Sequence, residues 1–200
     1  MGYAAAMTFL MGALFGFVNC VQQIFQEVFG AAGLFPAAFA LMAGATSLSA
    51  LANAWLVGRV GMRPLSHRAL IAFIAICVMH ATVVLTGHEN IVVFALLQAA
   101  AMFAFGLMSG NFGAMAMEPL GHVAGAAASL QGTLSMLGGS LIGFYIGQQF
   151  NRTAGPITVG YALCGMMALA CVAYAERGKL FRAHHRAPHG AGGPAAEMPH

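Results

Sequence analysis

Residues 118–147 read EPLGHVAGAAASLQGTLSMLGGSLIGFYIG, and after Glu118 the run contains no Lys, Arg, Asp or Glu. At the rise of an α-helix it is long enough to cross a bilayer. It is also built from small residues. Gly121, Gly125 and Ser129 recur every four positions, and so do Ser135, Gly139, Gly143 and Gly147. That spacing stacks them on one side of a helix, where the missing bulk admits another helix backbone. In water so much glycine argues against a helix. In lipid an unpaired amide is costly, and the helix is the local way to satisfy it. The stretch is therefore expected to be a buried transmembrane helix packed against neighbours on more than one side.

The whole chain has the same character. Its 200 residues are 60% hydrophobic and only 6% charged, with a mean hydropathy of +0.81. A soluble domain would carry about 25% charged residues, so the class is an all-α integral membrane protein. Cys20, Cys77, Cys164 and Cys171 lie inside apolar stretches without a CxxC pair, and they read as reduced, core- or lipid-facing residues. Residues 1–11 hold no Lys or Arg, so a cleavable signal peptide is not expected there. The first basic residue is Arg59, after two complete apolar spans.

Polar punctuation divides the chain into six apolar spans: residues 3–29, 36–57, 66–86, 91–117, 119–150 and 156–175. Pro36, Pro64, Pro119 and Pro156 all fall at or just before a span start, where the missing N–H costs nothing. Ser66 and Asn90 are placed to cap the third and fourth spans. With six spans, Arg59, Arg63, Arg68, Arg177, Lys179, Arg182 and Arg186 share one side, and Arg152 stands alone on the other. The excess of basic residues puts that side, with both termini, in the cytoplasm of a bacterial inner membrane. Residues 1–176 thus form a six-helix transmembrane domain, and residues 177–200 a disordered basic cytoplasmic tail. His184, His185 and His189 in that tail lack defined ligand spacing, so a solvated segment is preferred to a metal site.

Span 1 has the clearest functional face. Asn19, Gln22, Gln23 and Gln26 follow at spacings of three and four, with Glu27 four beyond Gln23. Such groups face a bundle interior or a wet cavity, or serve as interhelical hydrogen-bond glue. So many amides on one face exceed what glue requires, which favours a cavity. Span 4 offers a weaker face of Gln98, Ser109 and Asn111, and span 5 adds Gln131. Spans 3 and 6, apart from His80, lack strong polar groups and are expected at the lipid-facing periphery. Titratable groups inside or beside the spans are few. Glu27 is the local candidate for proton coupling. Glu118 and His122 form either a gate or a solvated loop. No nucleophile, acid–base or nucleotide-binding motif is present, so neither an enzyme nor a cofactor is expected, and nucleic acid is not an expected partner.

Three stretches carry a family resemblance. Glycine and arginine alternate after span 2 in Gly58-Arg59-Val60-Gly61-Met62-Arg63, and this loop resembles the signature between the second and third helices of each half of a major facilitator superfamily transporter. More narrowly, Phe17-Val18-Asn19 with Gln26-Glu27, NAWLVGRVGMRPLSHR over residues 53–68, and GNFGAMAMEPLGHVAGAAASLQG over residues 110–132 resemble the bicyclomycin-resistance (Bcr/CflA) type of multidrug drug:proton antiporter. The resemblance implies the C-terminal six helices of a twelve-helix fold. In that fold the first and fourth helices of each half line the cavity, the fifth flanks it, and the third and sixth lie outermost. The expected partners are membrane lipid, protons, an amphiphilic small molecule, and either a separate N-terminal half or a second copy of the chain. Gly58 stands where the superfamily usually has an acidic residue, and the family's proton-coupling carboxylates are generally expected in the half that is missing here. A membrane scaffold or an inactive transporter fragment is the competing function.

Overall fold

Apolar runs that leave water must close their own amide hydrogen bonds, and this chain does so as six long helices. They are α1 (Gly2–Gln23), α2 (Phe35–Val60), α3 (Met62–Leu85), α4 (Ile91–Met117), α5 (Ala124–Gln148) and α6 (Gly155–Ala175). The structure, a computed structural model, describes residues 2–118 and 124–176, with no strand among them. Pro119 and the 177–200 tail, with its basic residues and His184, His185 and His189, lie outside the described residues.

Local chemistry accounts for most helix ends. Asn90 caps α4, its Oδ1 accepting from the amides of Val92 and Val93 at 3.0 Å each. Pro36 and Pro156 sit in the first turns of α2 and α6. Ser66 is not a cap. The α3 helix begins at Met62, four residues earlier than expected, and the Ser66 hydroxyl donates to the Met62 carbonyl at 2.8 Å inside it. One residue, Gly61, separates α2 from α3. Its φ of 88° is a conformation that glycine adopts without a Cβ clash. The α1 helix ends in a π-helical turn, Ile24–Val28, and a 3₁₀ turn, Ala32–Leu34, leads into α2.

The helices form two layers. The front row runs α2, α4, α1, α5, each packed on the next, while α3 stands behind α4 and α6 behind α1, with α3 and α6 also in contact. The core is the seam between layers, filled by Leu10, Phe17, Phe73, Met108, Phe112 and Ala168 among others. Five helices, with α1 counted through its π turn, are long and apolar enough to cross a membrane. The α5 helix has 25 residues, about 37 Å at helical rise, but its serines, glycines and Gln131 hold its hydropathy below that of the others.

Small residues set the front-row spacing. A methyl added at Gly139 would stand 2.6 Å from the Met11 Cβ and 3.1 Å from the Gly12 nitrogen. At Gly143 it would meet the Phe15 Cβ at 2.6 Å and the Gly16 nitrogen at 2.7 Å. The stripe of Ser135, Gly139, Gly143 and Gly147 is thus the α1-facing side of α5, and Gly12 and Gly16 answer it by admitting Ile142 and Ile146. The other small-residue stripe does not pack in this way: Gly125 and Ser129 are exposed, and Gly121 lies outside the described residues. The expectation that α5 packs on several sides is therefore corrected. Its opposite face, with Leu134, Leu137, Leu141 and Phe144, is exposed. Likewise α2 buries only Met42 and Ser49, so α2 and α5 are less enclosed than α3 and α6. The expected peripheral placement of spans 3 and 6 holds only for the outer sides of the back layer, where Ile71, Val78, Met79, Leu163, Met166 and Met167 are exposed.

Candidate functional site

Asn19, Gln22, Gln23, Gln26 and Glu27 are all exposed, while Cys20, Val21, Ile24 and Phe25 between them are buried. This alternation follows from helical spacing: one side of α1 is held in the core by apolar side chains, and the amides take the other. The face opens at the front of the bundle, beside the close-packed α5, whose Gly147 approaches Asn19. At its outer limit the π turn presents Gln26 and Glu27, and Glu27 Oε2 stands 3.6 Å from Arg152 Nε in the α5–α6 connection. Both groups are well exposed, so this pair contributes little to stability. Arg152 has a φ of 63°, a left-handed value uncommon for a residue with a side chain,.

The α4 residues expected on the same surface lie elsewhere. Asn111 is buried, and its amide pairs reciprocally with Asn53 of α2: Asn111 Nδ2 donates to Asn53 Oδ1 at 2.8 Å and Asn53 Nδ2 returns a bond at 3.3 Å. Asn111 also donates to the Leu107 carbonyl at 2.9 Å, so it glues α4 to α2 rather than lining a cavity. Gln98 is buried too and faces the Tyr161 phenol of α6; neither Gln98 Nε2 nor Tyr161 OH has a hydrogen-bond partner among the described residues. Ser109 is half-buried. Gln131 on α5 is half-buried, with its Oε1 unpaired among the described residues. The exposed front of α4 is formed instead by Ala100, Gly110 and Ala114. Amide spacing marks α1 well and α4 poorly, because a single Asn or Gln on a helix carries no period to say which side it occupies.

A second polar group gathers at the end of the bundle that holds the start of α1, the α2–α3 junction and the ends of α4 and α6. Tyr3 OH donates to Glu176 Oε1 at 2.6 Å. Its one hydrogen is then committed, so His67 Nε2, 2.9 Å away, is the donor to the phenol oxygen,. Arg63 Nη2 reaches Glu118 Oε2 at 2.8 Å, and its Nε stands 3.4 Å from Glu176 Oε1. Four helices are thereby tied by one arginine, two carboxylates, a phenol and an imidazole. Of the residues expected to matter in this region, Arg63 and Glu118 are brought together. Gly61 provides the turn, and Arg59 lies with its guanidinium carbon 3.7 Å from the Trp55 ring centroid. His122, the other half of the expected gate, lies outside the described residues. Tyr3, His67 and Glu176 carried no sequence signal, since partners 64 and 173 positions apart become neighbours only on folding.

A polar face on one side of α1 and a charged cluster at one end of the bundle are accompanied by a similarity to a known protein. The chain is 28% identical over 176 residues to the uncharacterized MFS-type transporter YdgK of Bacillus subtilis (strain 168), a match that covers 84% of this chain and 42% of the relative. The chain is similar to a transporter. It spans less than half of that relative's length. No protein-family model and no solved structure matches the chain. The long apolar helices and this similarity together support a multi-pass membrane protein.

Proposed function

We propose that this six-helix bundle is one half of a drug:proton antiporter of the bicyclomycin-resistance type, exporting amphiphilic small molecules across a bacterial inner membrane with both termini in the cytoplasm. The single observation that carries the reading is the α1 face: five polar side chains, Asn19 to Glu27, exposed on one side of a helix in a largely apolar bundle. In lipid such a face is costly, and a wet cavity against a second six-helix unit removes the cost. Neutral amides hydrogen-bond many polar groups without demanding one charge, while the flanking apolar surfaces of α2 and α5 accept hydrophobic bodies. That combination fits amphiphiles of varied structure. The second unit is a separate N-terminal half or another copy of this chain. Glu27 remains a proton-coupling candidate within it, and the Arg63, Glu118 and Glu176 cluster serves as the cytoplasmic latch.

The test is protection from labelling. A Gln23→Cys variant in membranes should react with a water-soluble maleimide, and a lipophilic cationic dye should slow that reaction. Ile71→Cys, on the outer side of α3, should label poorly under both conditions. Equal labelling at both positions, or no effect of the dye at Gln23→Cys, would overturn the assignment.

A further inference from the structure

The end of the bundle opposite Tyr3 holds a buried titratable pair that the amide face does not use. His80, near the end of α3, is 2% exposed, and the Glu89 side chain, just ahead of α4, is 10% exposed. His80 Nε2 and Glu89 Oε1 are 3.8 Å apart, and neither atom has a hydrogen-bond partner among the described residues. The imidazole also meets the Phe94 ring edge to face, with centroids 5.1 Å apart. At this separation the two atoms are near neighbours without a hydrogen bond, and a proton added to the imidazole would give the carboxylate a cationic partner,. With one proton between them the pair is neutral overall, and an imidazolium gains both the carboxylate and the aromatic ring.

We infer that His80 and Glu89 form a proton-binding site, and that its occupancy is relayed through Phe94 to the π turn that carries Gln26 and Glu27. The relay is contiguous. Phe94 packs on Phe25 at 6.0 Å and on Phe29 at 5.5 Å, centroid to centroid. Phe25 lies within the π turn, and the Phe29 amide closes it by donating to the Ile24 carbonyl at 3.2 Å. Proton binding draws Glu89 toward His80 and so moves the start of α4 against this aromatic cluster; proton loss leaves a bare carboxylate that favours water and a looser hairpin. A π turn is a common place for such a change of register. The titratable groups on elements packed against this part of α3 are Glu89 and His88 ahead of α4, Tyr161 and Cys164 on α6, and Cys77 one turn earlier on α3. Of these, Glu89 is the one paired with the imidazole. The use of the site in coupling rests on the transporter reading, whereas the site itself does not.

Amide hydrogen exchange of the full chain in lipid nanodiscs, read by mass spectrometry and corrected for intrinsic exchange, tests this without any substrate. Protection of residues 24–34 should change by about fivefold between about pD 5.5 and about pD 7.5. The change should vanish in both His80→Gln and Glu89→Gln and persist in Glu27→Gln. No change in the wild-type chain would overturn the inference. So would a change that survives in both pair variants, or one lost in Glu27→Gln alone, which would assign the proton to Glu27. A failure of dye protection at Gln23→Cys bears on the transport reading and leaves this result standing.

Discussion

Arg63 pairs with two carboxylates, Glu118 and Glu176. It is one-fifth exposed, and its partner Glu176 is still more buried, so its loss strands a carboxylate in a poorly solvated site. Arg63→Gln should lower stability by about 1–3 kcal/mol, seen as a lower midpoint of thermal unfolding in detergent. Arg152→Gln removes the well-exposed pair with Glu27 and should leave the stability within about 0.5 kcal/mol of wild type,. Tyr3→Phe removes the phenol that serves both His67 and Glu176, and should cost about 1–2 kcal/mol. A Tyr3→Phe protein as stable as wild type would mean that the phenol is idle. Among single residues the sequence marked Arg63, Gly61 and the α1 amides, each through a local pattern: a glycine-arginine turn or a helical period. It was silent on Tyr3 and Glu176, because a lone tyrosine at a helix start and a glutamate after a helix end look the same whether paired or solvated. It misplaced Asn111 and Gln98 for a related reason: polarity says that a side chain needs a partner and does not say whether the partner is a helix or a substrate.

At the scale of elements, close approach and amide pairing hold the front row together. A leucine at Gly139 or Gly143 would strike α1 backbone, whereas Gly132 on the same helix has open space around it. Gly143→Leu should therefore reduce folded protein by at least the about 1–3 kcal/mol of a typical overpacked site, and Gly132→Leu should leave it unchanged. Similar yields of folded protein for the two would contradict the α1–α5 packing. Between α2 and α4, Asn53→Leu and Asn111→Leu should each destabilise by stranding the other amide, and the double variant should recover part of the loss. The coupling expected is about 0.6–1.7 kcal/mol. Six helices and most of their ends were legible in the sequence, since apolar length, proline position and the Asn90 cap are local. The one-sidedness of α5 was not. Small residues show where a neighbour comes close, and the leucines and phenylalanines on the other side are equally suited to lipid, to a seventh helix or to a second bundle.

At the scale of the molecule, the front of the bundle carries an open amide face between two thinly covered helices, α2 and α5. Its back layer is apolar outward, as a lipid-facing surface requires. Its front combines amides in the middle with apolar shoulders, the pattern on which the proposed cavity rests,. Under the proposed function, transport needs two such bundles. The most direct measurement is accumulation of a fluorescent cationic dye in cells that express this chain alone, and in cells that also express an N-terminal six-helix half from a related transporter. Accumulation should be lower when two bundles are present, whether as a hetero-pair or as two copies of this chain, and the effect should be lost when the proton gradient is collapsed. Unchanged accumulation in both strains, with folded protein present in the membrane and a panel of amphiphilic dyes tried, would contradict it.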